Sequence, residues 1–402
     1  MSELAYLYDL LAKGYSGEWV LRELSRLVRS QKLATAKERE GVTEKVASLR
    51  YAVQLGGGLG DMLVCARFVR DLQSAFAGAA QVDVYIDGVP SEQVGFLFAA
   101  LEGVGGVHPH TLLNYNKGDY DFILVCATCV SFDEEHIKWE RIMACEGARQ
   151  LVCSIHSAIV RIWHVVEPYI RNAPCLDGAY AHKEVFRGRT RRKSLHAMSG
   201  IAYGGDHYPM SLPARPVELA GRRYITLNDG WGKNSGAQME RLTKSVRFEF
   251  WNELVVLIKS AFPDILVVQI GGGFGKNIDG VDLNYRGMAN FQSSLAVLAG
   301  SMLHLDIEGG LVHYAAALGV KSVVMFGPTN IGWFGYPQNL NVPPAACGNC
   351  WWTTREWYNQ CPAGHEQPVC MEHSAISIFE SVARELKVLS GSSECEHMFV
   401  AQ

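Results

Sequence analysis

The stretch YAVQLGGGLGD, residues 51–61, runs an apolar segment straight into a glycine-rich turn that ends in an aspartate. Tyr51–Leu55 reads as a short buried strand, and the glycines break it before a helix expected from about Met62 to Phe76. Val82–Ile86 and Asp121–Cys126 are further strand-like runs, with helical segments between and after them. Strands alternating with helices predict a parallel sheet covered on both faces.

The same rhythm returns downstream. Arg223–Leu227, Asp264–Ile270, Met302–Ile307 and Ser322–Phe326 read as strands, with helices expected near 249–261, 291–300, 311–318 and 374–389. Between the two halves, residues 186–220 are basic and then rich in glycine and proline, which marks an interdomain boundary. Residues 1–48 stand apart as a helical appendage. Trp19, Val20, Leu24, Leu27 and Val28 recur there at helical spacing, a stripe that packs either on its own protein or on another subunit. The expectation is two α/β domains, 49–205 and 206–340, followed by a segment 341–402. Ligands of open parallel sheets bind beyond the carboxyl ends of the strands, so the glycine-rich turns of two such domains should confront one another across a cleft.

Bulk properties narrow the function. The chain has 402 residues, 48% hydrophobic and 19% charged, the balance of a folded globular protein with room for two cores. A net charge of −4 gives no reason to expect a nucleic-acid partner. The local basic run Arg187–Lys193 reads either as a solvated linker face or as a contact for an anionic substrate. No apolar run approaches the ~18–20 residues of a membrane span. The first residues carry Glu3 and Asp9 and lack the apolar core of a secretory signal, so a cytoplasmic location is expected. Eleven cysteines in that setting are expected as thiols, metal ligands or core packing rather than disulfides.

Three stretches should face the cleft. In Gly56–Asp61, glycines permit close approach by a ligand, but an aspartate stands where a dinucleotide fingerprint needs its last glycine. Asp61 is open to two readings, a helix cap or a general base within reach of a hydroxyl. In Leu305–Gly319, Glu308 is placed to accept hydrogen bonds from a sugar or ribose, and Gly309 and Gly310 let phosphate oxygens approach amides at a helix start. His313, in the first turn of that helix, is either structural or directed at the same anion. Gly327–Asn330, with Thr329, closes the next strand at the same edge. Lys244 and Arg247 follow another strand and are either solvated charges or a diphosphate clamp.

The segment CGNCWWTTREWYNQCPAGHEQPVC, residues 347–370, holds four cysteines. Cys347 and Cys350 form C-x2-C, and Cys361 and Cys370 follow after ten and eight intervening residues. Two thiolates from a tight knuckle and two nearby suit tetrahedral zinc or a rubredoxin-like iron, with unliganded thiols as the alternative. Four sulfur ligands leave no open position, so such a metal would be structural. His365 and His373 are spare donors. Cys126 and Cys129 repeat the C-x2-C spacing without a second pair, and read as core thiols.

In this order and spacing the motifs resemble the ADP-heptose heptosyltransferases, glycosyltransferase family nine. The markers are Gly58-Leu59-Gly60-Asp61, Lys244 seven residues before Trp251, and Glu308-Gly309-Gly310 with His313 ahead of Ala-Ala-Ala-Leu-Gly and Phe-Gly-Pro-Thr. The resemblance spans most of residues 50–389. It implies a GT-B fold: two Rossmann-like parallel-sheet domains facing across a cleft, the first for the acceptor and the second for the nucleotide sugar. It also implies Asp61 as catalytic base, Lys244 and Thr329 on phosphate, and Glu308, Gly309, Gly310 and His313 as the donor turn. The family's usual Asp-Ser is Glu308-Gly309 here, which changes the reach of the carboxylate.

The cysteine pattern is similar to that of iron-containing heptosyltransferases that modify bacterial autotransporter proteins. That likeness implies one structural metal per chain on Cys347, Cys350, Cys361 and Cys370, iron in preference to zinc, and a homo-oligomer. The spacing after the second cysteine is shorter than in that group. The implied reaction is inverting transfer of heptose from ADP-heptose to a serine of an autotransporter, without a catalytic metal. A lipopolysaccharide core sugar is the alternative acceptor. A non-catalytic, metal-stabilised scaffold that positions an autotransporter is the alternative function.

Overall fold

A computed structural model describes residues 48–171, 175–230, 242–273, 275–288, 290–357 and 359–391. The expected helical appendage lies outside the described residues. The front lobe is a five-stranded sheet of order β3-β2-β1-β4-β5. Its strands are β1 Leu49–Leu55, β2 Ala80–Ile86, β3 Val104–Pro109, β4 Phe122–Cys126 and β5 Val130–Phe132. β1 pairs in parallel with both β2 and β4, and only the β4–β5 hairpin is antiparallel. β1 is buried on both faces, which is why it reads as an apolar run without alternation.

Helix α1, Leu59–Phe76, begins three residues earlier than the glycine content suggested. Gly58 supplies the extended N-cap, and Asp61 stabilises the first turn by accepting the Gly58 N–H, so the helix can start among glycines. Three helices then lead towards the rear lobe: α2 Glu146–Arg171, α3 Cys175–Val185 and α4 Arg191–Ser199. The reading of Arg187–Lys193 as a solvated linker holds for the exposed Arg187, Gly188, Arg189 and Lys193 and fails at Arg191. Thr190 is extended, Arg191 opens α4, and Gly200 closes it in the left-handed region at φ 76°. Arg191 is buried, with 4% of its surface exposed. A cation at a helix N-terminus opposes the helix dipole, so it needs anionic or carbonyl partners, described below.

The rear lobe is a six-stranded, wholly parallel sheet of order β11-β10-β9-β6-β7-β8. Its strands are β6 Tyr224–Leu227, β7 Leu266–Gln269, β8 Leu283–Asn284, β9 His304–Ile307, β10 Ser322–Met325 and β11 Leu340–Val342. Helices α5 Phe248–Ala261, α6 Phe291–Ala299 and α7 Gly310–Ala317 cover it, with α8 Ile331–Phe334 after β10 and α9 Ala375–Leu389 at the end. β3, β5, β8 and β11 escape the sequence reading because they are short or glycine-rich edge elements.

Strand order fixes where a ligand can sit. In the front sheet the chain reverses direction of build between β1 and β4, and in the rear sheet between β6 and β9. Loops leaving the carboxyl ends on either side of such a switch point diverge and open a crevice. The loop after β1 ends in Asp61, the loop after β6 contains Lys244, and the turn after β9 is Glu308–Gly310. The two lobes touch at these points. A Cβ placed on Gly60 would lie 2.7 Å from His313 Cδ2 and 3.3 Å from Gly310 Cα, so only glycine lets α1 and α7 meet end to end. Tyr314 donates to Leu59 O at 3.2 Å and the Tyr208 N–H to Ala317 O at 3.1 Å, and one apolar core runs from the front sheet to α7.

Candidate active site

Asp61 sits on the third residue of α1. Its Oδ2 accepts the Gly58 N–H at 3.1 Å, and its Oδ1 accepts two hydrogen bonds from Arg191, 2.7 Å from Nη2 and 3.1 Å from Nε. Asp61 therefore caps the turn, as one of its two sequence readings has it, and presents a carboxylate, 39% exposed, at the lobe junction. Arg191 is oriented without it: Nη1 donates to Ser194 Oγ at 3.1 Å and Nη2 to Ala127 O at 2.9 Å. Burial pushes the Asp61 carboxyl up, but the Arg191 charge and hydrogen bonds, the Gly58 amide and His313 together hold it below the usual carboxylate range. Arg191 was missed as a site residue, since nothing local distinguishes it within a basic run.

His313 is 6% exposed, and its Nδ1 lies 2.8 Å from the Tyr336 hydroxyl. That hydroxyl also accepts from Nη1 of the fully buried Arg67 at 2.9 Å. Arginine only donates, so the tyrosine proton is available to Nδ1, and with that donation made His313 carries its own proton on Nε2. The Nε2 edge lies against Gly60. Burial lowers the His313 pKa to about 4, with Arg67 and Arg191 adding to the effect against Glu308 and Asp61. His313 is thus a neutral donor at the junction rather than a cation. Arg67 also donates to Asp206 O, and Arg192 lies over the Tyr336 ring at 5.1 Å and donates to Gly335 O at 2.6 Å.

Lys244 Nζ meets Glu308 Oε2 at 2.8 Å, with side chains only 15% and 8% exposed. The ammonium also lies 5.9 Å from the centroid of Trp357. Gly309 is the extended N-cap of α7, and no side chain caps that helix, so its first-turn amides stay free for a ligand anion. The buried hydroxyls of Thr329 and Ser245 have no hydrogen-bond partner among the described residues. Ser245 was not singled out from sequence. Arg247 is the N-cap residue of α5. Beneath the turn, Asp306 is fully buried and accepts from Asn228 Nδ2 at 2.9 Å and faces His304 Nε2 at 3.2 Å, a network that stiffens β9.

The cysteine-rich segment packs on this seat. Thr243 Oγ1 donates to Trp357 O at 2.7 Å, and the Trp351 N–H to Pro328 O at 3.1 Å. Trp351 and Trp357 join Trp333 and Ala181 of α3 in a separate apolar cluster. Asn349, inside the knuckle, takes a left-handed φ of 61°. Among the described residues no three His, Cys, Asp or Glu side chains stand close enough to form a finished metal cage. The four thiols nevertheless share one neighbourhood. Burial, then Cys347, Cys350 and Cys361, push the Cys370 thiol up to about 12, and Cys350 is raised by burial, Cys361 and Cys347. As a donor set, four converging thiols fit a soft tetrahedral ion. His373 does not join them; its Nε2 lies 3.1 Å from Phe326 O. Cys126 and Cys129 are buried in the front core.

Two Rossmann-like lobes whose switch points confront one another have the arrangement of the GT-B fold. Particular solved structures share it. The fold is similar to that of a family 9 glycosyl transferase from Veillonella parvula, at 12% identity and TM-score 0.53 over 86% of this chain and 98% of that one. It is also similar to the iron-containing dodecameric glycosyltransferase TibC from enterotoxigenic E. coli, at 14% identity and TM-score 0.56 over 89% and 85%. The complex of dodecameric heptosyltransferase TibC with ADP-D-β-D-heptose aligns at 13% identity and TM-score 0.55 over 85% and 77%. No family model matches the sequence, and no curated protein matches it. Among the described residues no helix is long and apolar enough to cross a membrane.

Proposed function

We propose that the protein is an inverting glycosyltransferase that moves heptose from ADP-heptose to an acceptor hydroxyl, with serine of an autotransporter protein as the acceptor. One observation carries the reading: Asp61 at the front switch point and the Lys244–Glu308–Gly310 seat at the rear one converge on His313. The fold similarity to heptosyltransferase structures supports the donor class, and the TibC complex holds ADP-heptose.

In the reaction, the acceptor oxygen attacks the anomeric carbon as its proton passes to Asp61. The bond from that carbon to the phosphate oxygen breaks, and its electron pair stays on ADP. Lys244, the free amides of α7 and the His313 Nε2–H stabilise the growing charge. Since Arg191 keeps Asp61 ionised but weakly basic, the proton transfers only as the carbon–oxygen bond forms and the hydroxyl acidifies. Lobes already in contact at Gly60 leave little room for water to compete.

Cys347, Cys350, Cys361 and Cys370 would hold one structural metal, iron in preference to zinc, that braces the Trp351–Trp357 stretch against the donor seat. Assembly of several copies belongs to the same reading, the TibC structures being dodecameric. A transfer assay with ADP-heptose tests the proposal. Asp61→Asn, which keeps an oxygen for the Gly58 amide and for Arg191, should stay folded and lose activity by about 10²–10⁴-fold. A wild-type protein that neither binds nor turns over any nucleotide sugar would favour the scaffold instead.

A further inference from the structure

The cation expected to hold the donor's phosphate is already occupied. Lys244 Nζ and Glu308 Oε2 are 2.8 Å apart, and both side chains are nearly withdrawn from water. They meet because β6 and β9 are adjacent strands, which puts the loop after one against the turn after the other. The ammonium also lies 5.9 Å from the centroid of the Trp357 ring, at the edge of cation–π range. The residue after Lys244, Ser245, has a buried hydroxyl with no hydrogen-bond partner, and the helix that opens just after Glu308 has no side-chain cap.

We propose that Glu308 is a built-in competitor for the diphosphate: it neutralises Lys244 in the empty seat, and a nucleoside diphosphate binds by displacing it. The inference rests on the donor-seat reading of the previous section. An incoming phosphate brings one to two negative charges to the Lys244 ammonium and cannot share it with a close carboxylate without repulsion. Glu308 then turns away and is free to accept a hydroxyl of the sugar or ribose. A bare phosphate gains only the exchange of one anion for another. A nucleotide sugar gains the hydroxyl contact as well, so the displaced carboxylate discriminates in favour of the complete donor.

Calorimetric titration of ADP, inorganic pyrophosphate and ADP-heptose into the full-length protein tests this. Glu308→Gln should bind ADP and pyrophosphate about 5- to 30-fold tighter than wild type, the effect of relieving ~1–2 kcal/mol of competition. Glu308→Asp, which keeps the charge on a shorter arm, should bind ADP with intermediate affinity. The gain should be smaller for ADP-heptose than for ADP, because the lost carboxylate no longer receives a hydroxyl. Lys244→Met should abolish the difference between ADP affinities with and without Glu308→Gln. If wild type binds ADP and Glu308→Gln binds it no tighter, the competition is refuted and the donor seat stands. If neither protein, confirmed folded by thermal unfolding, binds ADP or pyrophosphate, the donor seat fails and the competition with it.

Discussion

Replacing Tyr336 by phenylalanine removes one oxygen atom and tests how the lobes are joined. The ring stays, and with it the stacking of Arg192 at 5.1 Å and Arg67 at 5.7 Å. What disappears is the acceptor for Arg67 Nη1 and the donor to His313 Nδ1, at 2.9 and 2.8 Å. Arg67 is fully buried and His313 is 6% exposed, so water cannot replace the lost partner. A stranded buried polar group costs about 1–3 kcal/mol, and two of them bring the cost to about 2–6 kcal/mol. For lobes of this size that corresponds to a fall in Tm of roughly 5–15 °C. The fall should be accompanied by faster proteolysis in residues 200–216, which join the lobes. Scanning calorimetry gives the comparison, with Tyr314→Phe as reference. That change removes one longer bond, 3.2 Å to Leu59 O, and should cost about 1 kcal/mol. A Tyr336→Phe protein within 0.5 kcal/mol of wild type, or no less stable than Tyr314→Phe, would refute the bridge.

Three further outcomes follow from the site. Arg191 holds Asp61 below the usual carboxylate range, so a base that works only when ionised keeps working as pH falls until that lowered value is reached. Arg191→Met removes the charge and both hydrogen bonds, and the acidic limb of the kcat/KM profile should move to higher pH; an unmoved limb excludes Asp61 as the titrating base. Gly60→Ala drives a methyl group into His313 and Gly310, and should destabilise by about 1–3 kcal/mol and weaken donor binding, measured by unfolding and titration together. Cys347→Ser should reduce bound metal from one equivalent per chain and lower Tm, whereas Cys126→Ser, in the front core, should leave metal content intact; equal metal in both, by elemental analysis, sinks the four-cysteine assignment.

Much of the architecture was legible because its causes are local. Glycine runs at strand ends, period-breaking turns and doubly buried strands announce themselves within ten residues, and Gly58–Asp61 and Glu308–Gly310 sit where such runs place them. The partners of those turns were not legible. Arg191 lies 130 positions from Asp61, and Tyr336 lies 269 from Arg67. Each sits in an undistinguished context, one in a basic run and one in a short loop after α8. Their roles exist only after the lobes meet, since a buried charge is tolerable only beside its partner. The same logic ranks the residues as evidence for chemistry. Asp61 also caps α1, and Gly309 and Gly310 also shape a turn, so a protein that had lost catalysis would keep them for folding alone. Arg191, Glu308 and Tyr336 tune how the carboxylate, the lysine and the histidine present themselves, and substitution at these three separates a working transfer site from a preserved scaffold.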